Sequence, residues 1–190
     1  MADRNKVKFG LKNVHYAKIT EGAGGAITYG TPVAIPGAVN LSLSPEGETS
    51  NFAADDNAKY YNTSSNAGYS GDLEVAKFPD SFYADIFGFT TDSQTGVTYE
   101  DAAVEPSKFA LLFEFSGDAN KTRHVMYYCT ATRPAVSSGT TGDSKEPVTE
   151  TSTITAAPLP ADADGAQIVR GHCATGDAAY ADWYTAVVAP

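Results

Sequence analysis

FALLFEFSGDANKTRHVMYYCTA, residues Phe109 to Ala131, contains two apolar runs rich in aromatic and β-branched residues, and it sets the fold class. In the first run Phe109, Leu111, Phe113 and Phe115 share one parity, which predicts a strand with one buried face. The second, from Thr122, places Val125, Tyr127, Cys129 and Ala131 on one side and His124, Met126 and Tyr128 on the other. Both sides carry bulky groups, so this strand is expected to be covered on both faces and central. Outward from it the same period recurs. Val39, Leu41 and Leu43 alternate with Asn40, Ser42 and Ser44, and Leu73 and Val75 alternate with Asp72 and Glu74. From Val148 to Ala156, Thr149, Thr151, Thr153 and Thr155 form a threonine stripe opposite Val148, Ile154 and Ala156, with Glu150 and Ser152 on that opposite side. The chain therefore reads as mainly β.

One segment departs from this period. In PDSFYADIFG, Phe82, Ile86 and Phe89 recur at helical spacing, Pro79 and Asp80 supply start signals and Gly88 a stop, which predicts a short helix over about 80–87 packed on the sheet. Glu21–Ala26, Glu48–Asn57, Thr90–Gly96 and Ala135–Pro147 read as Gly-, Ser-, Thr- or Asp-rich loops. The last of these is long for a compact domain and points to an interface or functional loop.

The 190 residues suit a single domain, 1–190, burying about 70% of its unfolded surface without crosslinks. A net charge of −10 has the wrong sign for gripping phosphates. The charge is also uneven: residues 1–20 hold five basic groups and one acid, leaving eight basic and 22 acidic groups for the rest. The N-terminal arm, residues 1–11, is thus complementary to the body, and Arg4, Lys6, Val7, Lys8 and Phe9 are candidate docking residues on a neighbouring subunit. No apolar h-region and no run of about 18 apolar residues is present, so neither export nor membrane insertion is expected. Cys129 and Cys173 lack zinc-like pairing and read as reduced, partly buried thiols.

The search for chemistry returns little. GAGGAITYG places Ile27 where a dinucleotide loop needs its third glycine, and it reads as a hairpin loop. Asp162–Gly165, DADG, lacks the ligands of a calcium loop and reads as a turn. His15, His124 and His172 have no zinc spacing, no G-x-S-x-G elbow occurs, and Asp55 and Asp56 sit side by side in a predicted loop. No catalytic, cofactor or metal site is expected. A carbohydrate-binding or host-adhesion β-sandwich is the alternative class, with Tyr60, Tyr61, Tyr127, Tyr128, Trp183 and Tyr184 as an imaginable sugar platform. A glycosidase comes third, because no acidic pair has a context that would separate two pKa values.

NKVKFGLKNVHYAKIT (Asn5–Thr20), YGTPVAIPGAVNLSLSPEG (Tyr29–Gly47), GYSGDLEVAKFPDSF (Gly68–Phe82), FALLFEFSGDANKTRHVMYYCTATRP (Phe109–Pro134) and TETSTITAAPLP (Thr149–Pro160) follow one another in order. Together they resemble the major tail protein family of long-tailed phages of Gram-positive bacteria. The resemblance implies a tail-tube-type β-sandwich or barrel, without the immunoglobulin-like C-terminal extension of some relatives. It also implies a structural virion protein whose hexameric rings stack into the tube that conducts DNA during ejection. Tape measure, tail terminator and baseplate or distal tail proteins are the implied partners, in the virion and, during assembly, in the host cytoplasm. In such a ring one polar face must line the lumen without holding passing DNA. The candidates are Asn40, Ser42, Ser44, Asp72, Glu74, Thr149, Thr151, Thr153 and Thr155.

Overall fold

The structure, a computed structural model, describes residues 7–140 and 147–190. In chain order its elements are β1 (Leu11–Glu21), β2 (Ile27–Tyr29), β3 (Val33–Ala34), β4 (Ala38–Glu46), β5 (Thr49–Ala54), β6 (Asn57–Ser64), β7 (Gly68–Val75), α1 (Asp80–Phe87), β8 (Thr90–Thr91), β9 (Thr98–Tyr99), β10 (Phe109–Phe115), β11 (Arg123–Ala131), β12 (Glu150–Ala156) and β13 (Arg170–Cys173). The main sheet runs β2-β1-β10-β11-β12-β7-β4, antiparallel throughout, with β3 beside β1 and β13 beside β11. Because β3 pairs with β1 and leads into β4, the two ends of this path are brought together, and the Ile35 amide donates to the Val14 carbonyl at 2.8 Å. The sheet curls around one core, in which Val14 and Tyr16 of β1 meet Leu73 and Val75 of β7, Leu111 of β10 and Ile154 of β12.

The helix forms where its spacing places it. Asp80 begins the first turn, and Gly88 ends it in the left-handed region at φ 71°, its amide donating to the Tyr83 carbonyl. The buried stripe is Phe82, Ile86 and Phe87, while Phe89 lies just past the cap and is half-buried. Phe82 stacks on Phe78 at 4.9 Å and meets Tyr16, Phe87 and Phe109 edge-on, so the helix plugs the curled sheet with an aromatic cluster.

Several expectations need correction. β10 is buried on both faces: Phe109, Leu111 and Phe113 point into the main core, and Ala110 and Leu112 point into a second one with Val125, Tyr127, Leu159, Cys173 and Trp183. Small Ala110 and single Leu112 left too faint an even-parity signal beside three phenylalanines. β11 is indeed central and covered on both faces, but its parity switches midway. Phe109 pairs with Cys129 whereas Leu111 pairs with Met126, so an extra β11 residue is accommodated between them. Met126, Cys129 and Ala131 therefore face the main core, and Val125 and Tyr127 the second. A similar irregularity between Ala38 and Asn40 turns Val39 outward, leaving it 52% exposed. The threonine stripe is regular only from Glu150; Val148 precedes the strand and is exposed.

Glu48–Asn57 is not a loop. It builds β5 and the start of β6, a two-stranded hairpin turning at Asp55 and Asp56, both in the left-handed region at φ 49° and 58°. Three residues after β4 ends β5 begins, so β4–β5 and β6–β7 make one long ribbon whose outer half leaves the body. Thr90 and Thr91, also read as loop, pair with Thr98 and Tyr99. The Glu21–Ala26 turn does join a hairpin, β1 to β2, with Gly24 and Gly25 both at positive φ. Residues 135–140 carry no regular structure, and the rest of that expected loop, 141–146, lies outside the described residues, as do Arg4 and Lys6 of the arm. The accessible surface, 12164 Å², is well above the roughly 8,700 Å² of a compact monomer of this mass.

Candidate functional site

The three polar strand faces form one surface. Register aligns Asn40 with Glu74 and Thr151, Ser42 with Asp72 and Thr153, and Ser44 with Ser70 and Thr155, whose rung continues to Thr130 of β11. Across these rungs Asp72 and Glu74 are the only charged residues, both acidic. Their carboxylates are held in place by neighbouring hydroxyls: Thr153 Oγ1 donates to Asp72 Oδ1 at 2.8 Å and Thr149 Oγ1 to Glu74 Oε1 at 2.6 Å. Behind the rungs the opposite parity is apolar or satisfied. Leu73 and Ile154 are buried, and buried Ser152 donates to the Thr132 carbonyl at 2.7 Å. Gly71 keeps β4 and β7 this close, because a Cβ there would lie 1.8 Å from the Ser42 carbonyl oxygen.

The projecting hairpin is the second feature. Its strands are exposed from end to end apart from half-buried Ala54, and Phe52, Tyr60 and Tyr61 are each at least 60% exposed. An isolated two-stranded ribbon is at best marginal in water, so three bare aromatics on one point to cover from another surface. The six aromatics considered as a sugar platform do not share a face. Tyr127 and Trp183 are buried, Tyr60 and Tyr61 are on the hairpin, Tyr128 donates to Glu21 at 2.5 Å, and Tyr184 lies beneath Arg123.

Of the arm, Val7 and Phe9 are 66% and 65% exposed. Phe9 nonetheless touches its own chain: its carbonyl accepts from the Gly117 amide at 2.9 Å, and its ring lies where a Gly117 side chain would be. Lys8 Nζ sits 5.2 Å from the Phe115 ring centre.

A third feature had no sequence signal. Glu114 is 4% exposed and accepts from Asn13 at 2.6 Å and Arg123 at 3.2 Å, with Lys12 at 3.2 Å. Arg123 also donates to the Tyr180 carbonyl and lies over the Tyr180 and Tyr184 rings, 3.8 and 4.8 Å from their centres. The C-terminal segment is thereby pinned over the second core, with Trp183 beneath it.

His124 and His172, far apart in sequence, are register partners on β11 and β13 with rings 6.2 Å apart. Burial is the main cause holding His124 below its ordinary 6.5, helped by His172, Arg170 and Lys8 and opposed by Asp118. The unfolded chain therefore takes up this proton first as pH falls. Stability from His124 is complete above about pH 6.5 and declines below it. Denaturant midpoints between pH 7.5 and 5 should fall less for His124→Asn than for the unaltered chain. Among the described residues no cluster of His, Cys, Asp or Glu could hold a metal, and Asp162 spends its carboxylate on the turn, accepting from the Asp164 and Ala166 amides. Cys129 and Cys173 are buried and form no disulfide, Cys129 Sγ donates to the Met126 carbonyl at 3.7 Å, and burial pushes the Cys129 thiol up to about 12. No helix among the described residues is long and apolar enough to cross a membrane.

No curated protein matches the chain. A family model described as phage tail tube protein matches residues 2–172, from the arm into β13, and so takes in the curled sheet, the polar rungs and the projecting hairpin. The chain belongs to the phage tail tube protein family, a structural component of the virion tail whose members assemble as homo-oligomeric tubes.

Proposed function

We propose that this protein forms hexameric rings that stack into the tail tube of a long-tailed phage of Gram-positive bacteria, with the β4–β7–β12 polar face lining the channel for DNA. The observation that carries the reading is the alignment of three separate polar strand faces into one surface whose only charges, Asp72 and Glu74, repel phosphate. Such a wall is hydrated without being adhesive. The tape measure, tail terminator and distal tail or baseplate proteins would meet the tube along its length and at its ends, and assembly would take place in the host cytoplasm. The protein works by shape and surface charge, without catalysis.

Negative-stain microscopy of the purified chain tests the assembly directly, rings and tubes being the expected result and monomers at every concentration the contrary one. The channel face is tested by Asp72→Lys with Glu74→Lys in phage. Losing two exposed or half-exposed hydroxyl contacts costs about 0.5–1.5 kcal/mol each, so tails should still form. DNA ejection should be slower or incomplete, because a basic wall attracts phosphate. Normal ejection kinetics would place this face elsewhere.

The arm is proposed to reach a neighbouring subunit, with Arg4, Lys6 and Lys8 drawn to its acidic body and Val7 as an apolar anchor alongside the outer side of Phe9. Exposed ion pairs contribute only about 0–1 kcal/mol each, so the apolar anchors matter as much as the charges. Deleting residues 1–9 should leave a folded chain that polymerises poorly. Unchanged light-scattering growth curves would remove the arm from the contact.

A further inference from the structure

Where β4, β7, β10, β11 and β13 converge, the curled sheet opens into a cavity of about 300 Å³. Its wall carries Lys8, His124 and Arg170 and not one carboxylate, in a chain with ten more acids than bases. The two standing cations, Lys8 and Arg170, and the His124 imidazole are positioned rather than loose. Arg170 lies 5.4 Å from the Tyr69 ring centre, Lys8 is over Phe115, and the His124 ring stacks on Phe113 at 5.3 Å. His172 stands next to His124 on the adjoining strand. The pocket thus presents cationic groups over an aromatic and aliphatic floor, which suits a carboxylate carried on an apolar stalk.

The chain itself carries such a ligand. The β5–β6 turn presents Asp55 and Asp56 side by side, with Phe52, Tyr60 and Tyr61 just behind them. It cannot serve its own cavity. The hairpin springs from the ends of β4 and β7, at the cavity rim, and six residues of β5 carry the tip about 20 Å away from it. The tip and the cavity are different patches of one molecule, so a contact between them is heterologous, the kind that closes into rings or continues as a polymer.

We propose that the Asp55–Asp56 tip of one copy docks in the Lys8–His124–Arg170 cavity of another, so that this cavity is a carboxylate-receiving assembly site. The inference rests on the tube reading and names one of its contacts. Docking brings two carboxylates toward His124, whose surroundings otherwise comprise Lys8, Arg170, His172 and Asp118; protonation of His124 then strengthens the contact.

The test uses the full chain with Asp55→Cys and Arg170→Cys together, both native thiols being buried. Under mild oxidation the double variant should give a ladder of disulfide-linked oligomers, and neither single variant should. Asp55→Lys with Asp56→Lys should raise the concentration at which scattering begins by about tenfold or more, and Lys8→Asp with Arg170→Asp, mixed in as a second protein, should restore assembly. Tubes that form normally with no ladder and no effect of charge reversal would overturn this contact and leave the tube reading intact. An unaltered chain that never assembles would overturn both.

Discussion

Arg123→Ala should lower stability by about 3 kcal/mol and release the C-terminal segment from the sheet. Breaking a buried ion pair by removing one partner costs about 3–5 kcal/mol, since the remaining charge stays desolvated. The low end applies because Glu114 keeps Asn13 and Lys12. The loss is compound: the side chain also holds the Tyr180 carbonyl and lies on two tyrosine rings. Trp183 is the only tryptophan in the chain and is 4% exposed beneath this clasp, so its emission reports the event without labelling. A red shift at denaturant concentrations where far-ultraviolet dichroism is still native is the expected result. Coincident transitions with an unchanged midpoint would show that the clasp carries no weight.

Phe82→Ala should be the most damaging single truncation, about 3–5 kcal/mol, the range for emptying a buried aromatic site. Phe82 is fully buried and meets four aromatic rings, from Phe78, Phe87, Tyr16 and Phe109. Those rings belong to α1, its lead-in and two sheet strands, so the cavity has no single element that could move in to fill it. Phe82→Leu keeps most of the volume and should recover more than half of the loss in chemical denaturation. Equal midpoints for the Ala variant and the unaltered chain would mean that the helix plug is not part of the cooperative unit.

The patterns that were legible in the sequence are those with a short repeat. Helix α1 follows from Phe82 and Ile86 between Pro79 and Gly88, and the polar faces of β4, β7 and β12 follow from simple alternation. What alternation cannot convey is register. That Asn40, Glu74 and Thr151 share a rung depends on three strands drawn from distant parts of the chain, and no local period encodes their alignment. Bulges defeat the same reasoning. One extra residue in β11 sends Tyr127 and Cys129 to different cores although they are two positions apart. The hairpin was missed for a different reason: with both faces exposed, Thr49–Ser64 shows no apolar alternation, and its strand character lies in backbone pairing and the Asp55–Asp56 turn. The Glu114–Arg123 clasp was illegible because a buried ion pair looks like any two surface charges until the fold covers it.

The pairing of β1 with β10 joins Leu11 to Phe115 and Lys18 to Phe109, residues about a hundred positions apart. The β4–β7 ribbon, in contrast, closes within one stretch of chain. Non-local pairing delays closure, because the loop entropy is lost before the contact forms, and sheets of this kind fold in milliseconds to seconds. The ribbon is therefore expected to form early and the β1–β10 seam late, with FALLFEF uncovered in the interval. A nascent chain must protect that heptapeptide from other nascent chains before it can present its finished surfaces to finished neighbours. Synthesis of 190 residues at about 5–20 residues per second takes longer than such closure, so the seam sets how long the heptapeptide stays exposed rather than how fast subunits are supplied.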